Sequence, residues 1–279
     1  MAKNRKRTKI VATLGPACAS AEIIEKMMED GVNVFRINFS HADYADVEEK
    51  VNIIRKINAN RNFHVAVLAD LQGPKLRVGV MGDNINLVVG DTFTFTTEPC
   101  EGTSKKAYMT YQKFPKDVEV GEQILVDDGK LLFEVIETDR KTEVVSKVIR
   151  GGVLTSKKGV NLPNTKISQP ALTEKDIKDA IFAIGLEVDW IALSFVRTPE
   201  DLIQLRELID EHSDYRIPII AKIEKPEAVA NIDKLTPHCD GLMVARGDLG
   251  VEVPMEKVPL IQKRLVLKAK KAHQPVIIA

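Results

Sequence analysis

The sequence contains no long apolar segment, which limits where the protein can act. No stretch approaches the roughly 20 consecutive apolar residues that a membrane-spanning helix needs. A basic N-terminus precedes an apolar run of five residues, Ile10–Leu14, which ends at Gly15-Pro16, whereas a secretory signal needs about 7–15 apolar residues. We therefore expect a cytoplasmic protein with no membrane partner.

The sequence also lacks net charge and paired cysteines. Lys+Arg and Asp+Glu both number 40, and this balance argues against a broad nucleic-acid surface while leaving room for a local basic pocket. No nucleic-acid partner is expected. Cys18, Cys100 and Cys239 are scattered and show no CxxC spacing, so we interpret them as free thiols in a reducing compartment.

Strand-like and helix-like segments alternate over most of the chain, and the helical segments carry one apolar stripe each. The predicted strands of this part are Thr8–Leu14, Val32–Phe39, His64–Leu71, Trp190–Val196, Ile217–Ile223, Gly241–Ala245 and Pro275–Ala279. No GxGxxG follows the first strand, so the pattern favours an α/β fold of the (β/α)8 TIM-barrel type over a Rossmann sheet.

The alternation is interrupted between about Pro74 and Pro170 by short strand-like runs separated by turn residues. We predict an inserted all-β lid domain over residues 74–170, with the barrel divided between residues 1–73 and 171–279. A barrel of this type needs eight strands, and the sequence provides six and the start of a seventh. The barrel is therefore expected to be incomplete at the C-terminus.

Polar residues cluster where the second predicted strand ends, and strand ends are where TIM barrels carry their catalytic groups. With a period of two, Arg36, Asn38 and Ser40 share one face, while Ile37 and Phe39 share the other. One arginine could simply pair with a carboxylate. Three inward polar groups are costly to bury unless they bind something, so we favour a binding site.

Acidic and basic residues also end strands five and six, as Lys222-Ile-Glu224 and Arg246-Gly247-Asp248. A Glu and an Asp from adjacent strands can share one Mg²⁺, which takes one or two carboxylates plus substrate oxygens. Lys222 would then reach a phosphoryl group on that metal. Each piece also has a simpler interpretation, since Lys-x-Glu can be an ion pair and Arg-Gly-Asp is a common tripeptide.

Five segments, in this order and on both sides of the β insert, resemble the pyruvate kinase family. They are Arg36-Ile-Asn-Phe-Ser-His41, Lys158-Gly-Val-Asn-Leu-Pro163, Ser194-Phe-Val-Arg197, Lys222-Ile-Glu224 and Met243-Val-Ala-Arg-Gly-Asp-Leu-Gly250. The similarity runs from Thr8 to Ala279. It implies a glycolytic enzyme that transfers the phosphoryl group of phosphoenolpyruvate to ADP, giving pyruvate and ATP, with Mg²⁺ or Mn²⁺ as cofactor.

The resemblance also implies the roles of individual residues. The implied catalytic residues are Lys222, Arg36 and Arg77. Those implied to bind phosphoenolpyruvate are Arg36, Lys222, Gly247 and Asp248. Those implied to meet the nucleotide when the lid closes are Asn38, Phe39, Ser40, His41, Arg77 and Lys158. The Mg²⁺ ligands would be Glu224 and Asp248.

Many relatives need K⁺, which is bound by counterparts of Asn38, Ser40 and Asp70 and by a threonine. Here Leu71 stands at the threonine position, and Lys75 stands where a glutamate is usual. An ammonium group at this place could supply the missing positive charge, so we expect an enzyme that does not require K⁺. The alternative is that Lys75 is a surface residue and K⁺ still binds weakly.

Two other functions fit parts of the sequence. A metal-dependent pyruvate aldolase of the related barrel superfamily also carries Ile-Glu and Gly-x-Asp at successive strand ends, although the β insert and Lys222 argue against it. A non-catalytic remnant that binds nucleotide is the second alternative. Family relatives are tetramers, so the full-length form is expected to be a homotetramer. The chain alone is expected to be unstable or inactive, because the family's Thr-Gln-Met segment would follow Ala279.

Overall fold

The computed structural model describes residues 7–83 and 85–279. The first part of the chain forms three parallel strands joined by two helices. These elements are β1 (Val11–Thr13), α1 (Ala21–Glu29), β2 (Val34–Asn38), α2 (Tyr44–Arg61) and β3 (Ala66–Asp70). Ser20 caps α1 by accepting a hydrogen bond from the backbone N–H of Ile23. The predicted apolar stripe of α2 is buried and comprises Val47, Val51, Ile54 and Ile57.

A separate β region follows β3 and contains one short helix. Its elements are β4 (Asn86–Leu87), β5 (Thr92–Thr96), β6 (Lys106–Tyr108), α3 (Phe114–Asp117), β7 (Gln123–Val126), β8 (Leu131–Thr138), β9 (Glu143–Arg150), β10 (Gly152–Val153) and β11 (Val160–Asn161). Six of these strands form a sheet in the order β11-β7-β8-β9-β5-β6, while β4 pairs with β10. We call residues 74–170 the β insert, and these limits stay a prediction.

The β insert has an apolar core of its own, whose residues all lie between Leu76 and Leu162. Phe93, Phe95 and Phe133 are fully buried there and contact one another with ring centroids 5.1–5.4 Å apart. Such aromatic contacts add to the stabilisation from buried area. The insert therefore does not depend on the barrel for its hydrophobic core.

The last part of the chain returns to alternating helices and strands. Its elements are α4 (Glu174–Gly185), β12 (Trp190–Leu193), α5 (Pro199–His212), β13 (Ile219–Ile223), α6 (Pro226–Ala230), α7 (Ile232–Leu235), β14 (Gly241–Val244), α8 (Arg246–Glu252), α9 (Val258–Lys271) and β15 (Val276–Ile278). Thr173 and Asp176 form the predicted capping box at the start of α4.

The barrel strands lie side by side in the order in which they occur along the chain. The order is β1-β2-β3-β12-β13-β14-β15, and every neighbouring pair is parallel. The seven strands form a nearly closed barrel, which confirms the predicted fold class. Because all seven are parallel, their carboxyl ends meet at one end of the barrel.

Two details of the sequence interpretation are wrong. Arg246-Gly247-Asp248 does not end a strand, because β14 stops at Val244 and Arg246 already begins α8. Ser40 does not continue the strand alternation either, because β2 stops at Asn38 and a 3-10 turn follows. The Asn38 side chain accepts a hydrogen bond from the Ser40 N–H at 2.9 Å, and this local bond competes with continuation of the strand.

The three cysteines are free thiols, as predicted. Cys239 is buried, and burial raises the pKa of its thiol to about 12 because the thiolate is poorly solvated there. In the part of the chain that the structure describes, no helix is long and apolar enough to cross a membrane.

Candidate active site

A cavity of about 100 Å³ opens at the carboxyl ends of the barrel strands. Residues from β2, β3, β13 and α8 meet in its wall although they are far apart in the sequence. The predicted site residues that line this cavity are Arg36, Asn38, Ser40, Asp70, Leu71, Lys75, Lys222, Glu224 and Asp248.

The ammonium group of Lys222 lies between three oxygen atoms in this cavity. Its Nζ is 2.6 Å from Ser194 Oγ, 3.0 Å from Glu224 Oε1 and 3.2 Å from Asp70 Oδ1. Burial alone would lower the pKa of Lys222, but the carboxylates of Glu224 and Asp70 outweigh burial and raise the pKa above its ordinary value. Lys222 therefore carries a positive charge at neutral pH.

Arg36 is bound to the same aspartate from the other side. Its Nε and Nη2 lie 2.6 Å and 2.5 Å from Asp70 Oδ2, and its Nη1 donates to Thr13 Oγ1 at 2.9 Å. Asp70 is 1% exposed, so Arg36 and Lys222 compensate its buried charge on opposite oxygens. The result is two cationic groups held at fixed positions beside the cavity.

The two predicted metal ligands approach the cavity from β13 and α8. Glu224 accepts a hydrogen bond from the Phe195 N–H at 2.9 Å through Oε2. Burial raises the pKa of Glu224, Lys222 opposes this, and the nearby carboxylate of Asp248 raises the pKa further. Asp248 has no hydrogen-bond or ion-pair partner among residues 7–83 and 85–279. Two neighbouring carboxylates, one of them without a counter-ion, fit a divalent cation.

These carboxylates do not form a complete metal site by themselves. Among the residues that the structure describes, no group of three or more His, Cys, Asp or Glu side chains could hold a metal ion. Mg²⁺ differs from structural zinc in that it commonly takes one or two carboxylates and completes its shell with substrate oxygens and water. The donor set therefore fits a Mg²⁺ ion whose remaining ligands are water or oxygens of a bound ligand.

Two other predicted residues of the barrel, Gly247 and Phe39, stand outside the lining of this cavity. Gly247 adjoins Asp248 in α8, and a Cβ added to it would meet nothing within 4 Å, so its backbone is open to close approach. Phe39 is fully buried in the barrel core, so its side chain does not reach the cavity. The side chain of His41 lies outside the described residues.

Arg77 and Lys158 are held by the β insert and do not line the cavity. Arg77 Nη1 donates to the carbonyl oxygen of Lys157 at 3.0 Å. Lys158 Nζ pairs with Asp127 Oδ1 at 2.9 Å, and this bond, with that of Lys130, lowers the pKa of Asp127. The structure therefore brings the barrel residues together but leaves these two cations on the neighbouring domain.

A family model described as pyruvate kinase, barrel domain, matches residues 5–279. The chain belongs to the pyruvate kinase family. Curated relatives named pyruvate kinase include those of Corynebacterium glutamicum, 46% identical over 98% of this chain and 58% of the relative, and of Geobacillus stearothermophilus, 45% identical over 99% of this chain and 47% of the relative. The chain spans about half the length of the curated relatives it matches. The resemblance deduced from the five segments is confirmed.

In this pyruvate kinase family member the β insert is bonded to α8, a contact that the sequence interpretation missed. The Asn161 side chain donates to Glu252 Oε1 at 2.7 Å, and Lys225 Nζ lies 2.6 Å from the same oxygen. Lys225 and Glu252 are only 5% and 6% exposed. Asn161 stands in one of the five segments and Lys225 follows Glu224 directly, but no local pattern pairs them with Glu252.

The two connections between the barrel and the β insert are also fixed by barrel residues of this family member. At the first, Gly73 has φ +68°, and an added Cβ would lie 2.9 Å from Phe195 Cδ2 and 3.0 Å from the Ser194 carbonyl oxygen. At the second, Arg197 donates to the carbonyl oxygens of Ile167 and Gln169 at 2.7 Å and 2.5 Å. Both connections therefore contact the segment that follows β12.

Proposed function

We propose that the complete protein transfers the phosphoryl group of phosphoenolpyruvate to ADP, giving pyruvate and ATP, with Mg²⁺ or Mn²⁺ as cofactor. One observation carries this proposal: an ammonium group, a guanidinium group and two carboxylates converge on one cavity at the strand ends. Phosphoryl transfer needs little covalent chemistry from the protein and depends on positioning and on neutralisation of charge. These four groups are suited to that task.

The cationic groups act on the phosphoryl oxygens. Arg36 offers a planar fork of N–H donors that suits such oxygens. Lys222 supplies a compact positive charge for the group in transfer, and its two carboxylate neighbours keep it protonated. Because both cations are already held by Asp70, they are in place before the substrate binds.

Glu224 and Asp248 hold the divalent metal in this proposal. A bound Mg²⁺ would neutralise negative charge on the phosphoryl oxygens and on the oxygen from which the phosphoryl group leaves. Glu224 is oriented by the Phe195 N–H, and Asp248 faces the cavity from the first turn of α8. The adjacent backbone at Gly247 leaves room for the substrate carboxylate.

The nucleotide would bind between the barrel and the β insert, which acts as a lid. A second cavity lies there and is lined by Lys75, Asp128 and Asn161 of the insert and by Asp248 of the barrel. Arg77 and Lys158 would reach the nucleotide phosphates when the insert closes over the barrel, as the family resemblance implies. Asn38, Ser40 and the turn that ends at His41 would meet the nucleotide from the barrel side.

The function is tested by an assay coupled to lactate dehydrogenase on the complete gene product. We expect pyruvate to form only when phosphoenolpyruvate, ADP and Mg²⁺ are all present. Pyruvate release from phosphoenolpyruvate without ADP would contradict the proposal. Pyruvate release from an aldol substrate would favour the aldolase alternative, and binding of Mg²⁺-ADP without turnover would favour a non-catalytic nucleotide-binding protein.

We further propose that the enzyme does not require K⁺. Lys75 lines the same cavity as Asn38, Ser40, Asp70 and Leu71, so its ammonium group can reach the place where a monovalent cation would bind. Replacing K⁺ with tetramethylammonium is expected to change the rate by less than about twofold, because a fixed charge on the protein cannot be exchanged.

If the rate falls more than about tenfold when tetramethylammonium replaces K⁺, the proposal of K⁺ independence is contradicted. A tenfold fall corresponds to about 1.4 kcal/mol of lost transition-state stabilisation. The informative variant is Lys75→Met, which removes the ammonium group and keeps most of the side-chain length. In this variant we expect the rate to depend on K⁺.

Family membership also leads us to propose a cytoplasmic homotetramer for the complete protein. Light scattering on the purified protein tests the oligomeric state.

A further inference from the structure

The two residues after β12 contact both kinds of proposed functional group. Ser194 is 2% exposed, and its Oγ accepts a hydrogen bond from Lys222 Nζ at 2.6 Å. The same hydroxyl donates to the carbonyl oxygen of Leu71 at 2.6 Å. A hydroxyl has one hydrogen to donate, so the bond to Leu71 fixes its orientation and turns its lone pairs toward Lys222.

Phe195 contacts the carboxylate through its backbone and has an unusual conformation. Its φ is +55°, a left-handed conformation that is uncommon for residues other than glycine and that costs conformational energy. In this conformation its N–H donates to Glu224 Oε2 at 2.9 Å. The strained residue therefore supplies a donor to a fully buried carboxylate that faces the cavity.

Ser194 differs from the other neighbours of Lys222 because it is uncharged. An ammonium group has three N–H donors, and the oxygens around Lys222 belong to Ser194, Glu224 and Asp70. The contact with Ser194 is the shortest, while Asp70 Oδ1 makes no hydrogen bond of acceptable geometry to the described residues. Without Ser194, the ammonium position would depend only on the two carboxylates of Asp70 and Glu224.

We propose that Ser194 and Phe195 form a positioning turn, in which the Ser194 hydroxyl fixes the Lys222 ammonium and the Phe195 N–H fixes the Glu224 carboxylate. This inference rests on the proposed function of the same cavity. Ser194 is a positioning residue, because it acts on the substrate through Lys222. Its loss is expected to lower kcat and to leave substrate affinity nearly unchanged, since Arg36 and the carboxylates stay in place.

The first experiment replaces Ser194 with alanine in the complete gene product and measures kcat and KM. We expect kcat to fall about 10- to 100-fold, because a shift of about 1 Å in a catalytic group can cost a hundredfold in rate. The KM for phosphoenolpyruvate is expected to change less than about threefold, since Arg36 still binds the phosphoryl oxygens. The proposal is overturned if kcat stays within about twofold of the unchanged protein.

Ser146→Ala is the matched control. Ser146 is fully buried in β9 of the insert, and its hydroxyl donates to the carbonyl oxygen of Phe93 at 2.7 Å. The Ser146→Ala variant therefore loses the same kind of hydrogen bond, but in the β insert and not beside Lys222. We expect kcat to be unchanged in this variant, and an equal loss of kcat in the two variants would assign the effect to general destabilisation.

Two further measurements separate this inference from the proposed function. If Ser194→Ala does not fold, Ser194→Cys keeps a side chain of similar size but replaces the short oxygen acceptor with sulfur, and kcat should still fall at least about fivefold. Independently of turnover, a crystal structure of a Ser194 variant should show Lys222 Nζ displaced by about 0.5 Å or more. If Lys222 Nζ has the same position in the Ser194 variant, the inference is overturned. If the protein without any substitution shows no phosphoryl transfer, only the proposed function is overturned.

Discussion

Replacing Lys222 with methionine is expected to lower kcat for pyruvate formation by about 10²- to 10³-fold, because removal of one well-placed group that stabilises developing charge commonly costs that much. Lys222 is the only one of the cavity's cations that contacts both Asp70 and Glu224 in the described part of the chain. Methionine has a similar length and no charge. The coupled assay at saturating phosphoenolpyruvate and Mg²⁺ measures the effect.

Lys225→Met is the control for this prediction. Lys225 lies three residues further along the chain, is 5% exposed and pairs with Glu252 at 2.6 Å, so it matches Lys222 in burial and in pairing. Breaking either buried pair leaves an uncompensated carboxylate and should lower the free energy of unfolding by about 3–5 kcal/mol.

Urea unfolding is therefore expected to shift in both variants, whereas only Lys222→Met loses kcat. Because Lys225 lines the cavity proposed for the nucleotide, kcat is compared at saturating ADP. The comparison is made at a temperature at which both variants are folded. If Lys225→Met loses kcat to the same extent under these conditions, the effect of Lys222→Met is a consequence of lost stability and the assigned role is wrong.

Replacing Glu224 with glutamine is expected to raise the Mg²⁺ concentration for half-maximal activity by about 100-fold or more. Loss of a residue that only supports a metal ligand already costs 10- to 100-fold in affinity, and loss of a direct ligand should cost at least as much. Glutamine keeps an oxygen that can accept the Phe195 N–H, so the local fold is retained while the negative charge is removed. A titration of activity with Mg²⁺ at saturating substrate gives the constant.

The matched change is Glu252→Gln. Glu252 is also a buried carboxylate that pairs with a lysine, at 2.6 Å compared with 3.0 Å for Glu224, but it does not line the cavity at the strand ends. Its replacement is expected to leave the Mg²⁺ requirement within about threefold of the original. Equal shifts in the two variants would mean that Glu224 acts on the structure and not as a ligand.

The sequence predicted those parts of the fold that depend on local periodicity. The stripe of Val47, Val51, Ile54 and Ile57 is buried as expected. One face of α2 packs on the barrel core, so apolar residues recur along the sequence at the spacing of a helix. The capping box of Thr173 and Asp176 likewise marks the start of α4. Barrel strands were recognisable because parallel strands are buried on both faces and are therefore continuously apolar.

Local periodicity failed where tertiary contacts decide the conformation. Arg246-Gly247-Asp248 reads as the end of a strand, but the segment begins a helix of only seven residues, too short for a periodic signal. Phe195 is left-handed although it is aromatic, and nothing in its neighbours along the chain indicates this. In this conformation the Phe195 N–H reaches Glu224 and the Phe195 ring lies beside Gly73, and both residues are distant in sequence.

The candidate site was predictable in its composition but not in its internal pairing. The residue types at the predicted strand ends identified Arg36, Lys222, Glu224 and Asp248, and these four line one cavity although Asp248 lies in α8. The partners that orient them come from segments distant in sequence, such as Ser194, which bonds a lysine 28 residues away. A single sequence contains no periodic signal for a contact of that kind.

The hydrogen bond between Asn161 and Glu252 attaches the C-terminal end of α8 to the β insert. Asp248 lies at the beginning of this helix and Glu252 at its end, about 6 Å apart along the axis at 1.5 Å per residue. A rotation of the insert about its two connections would strain the Asn161 hydrogen bond and so act on the C-terminal end of α8. The proposed metal ligand Asp248 lies on the same helix, so a movement of the insert that keeps this bond would also act on the Asp248 carboxylate.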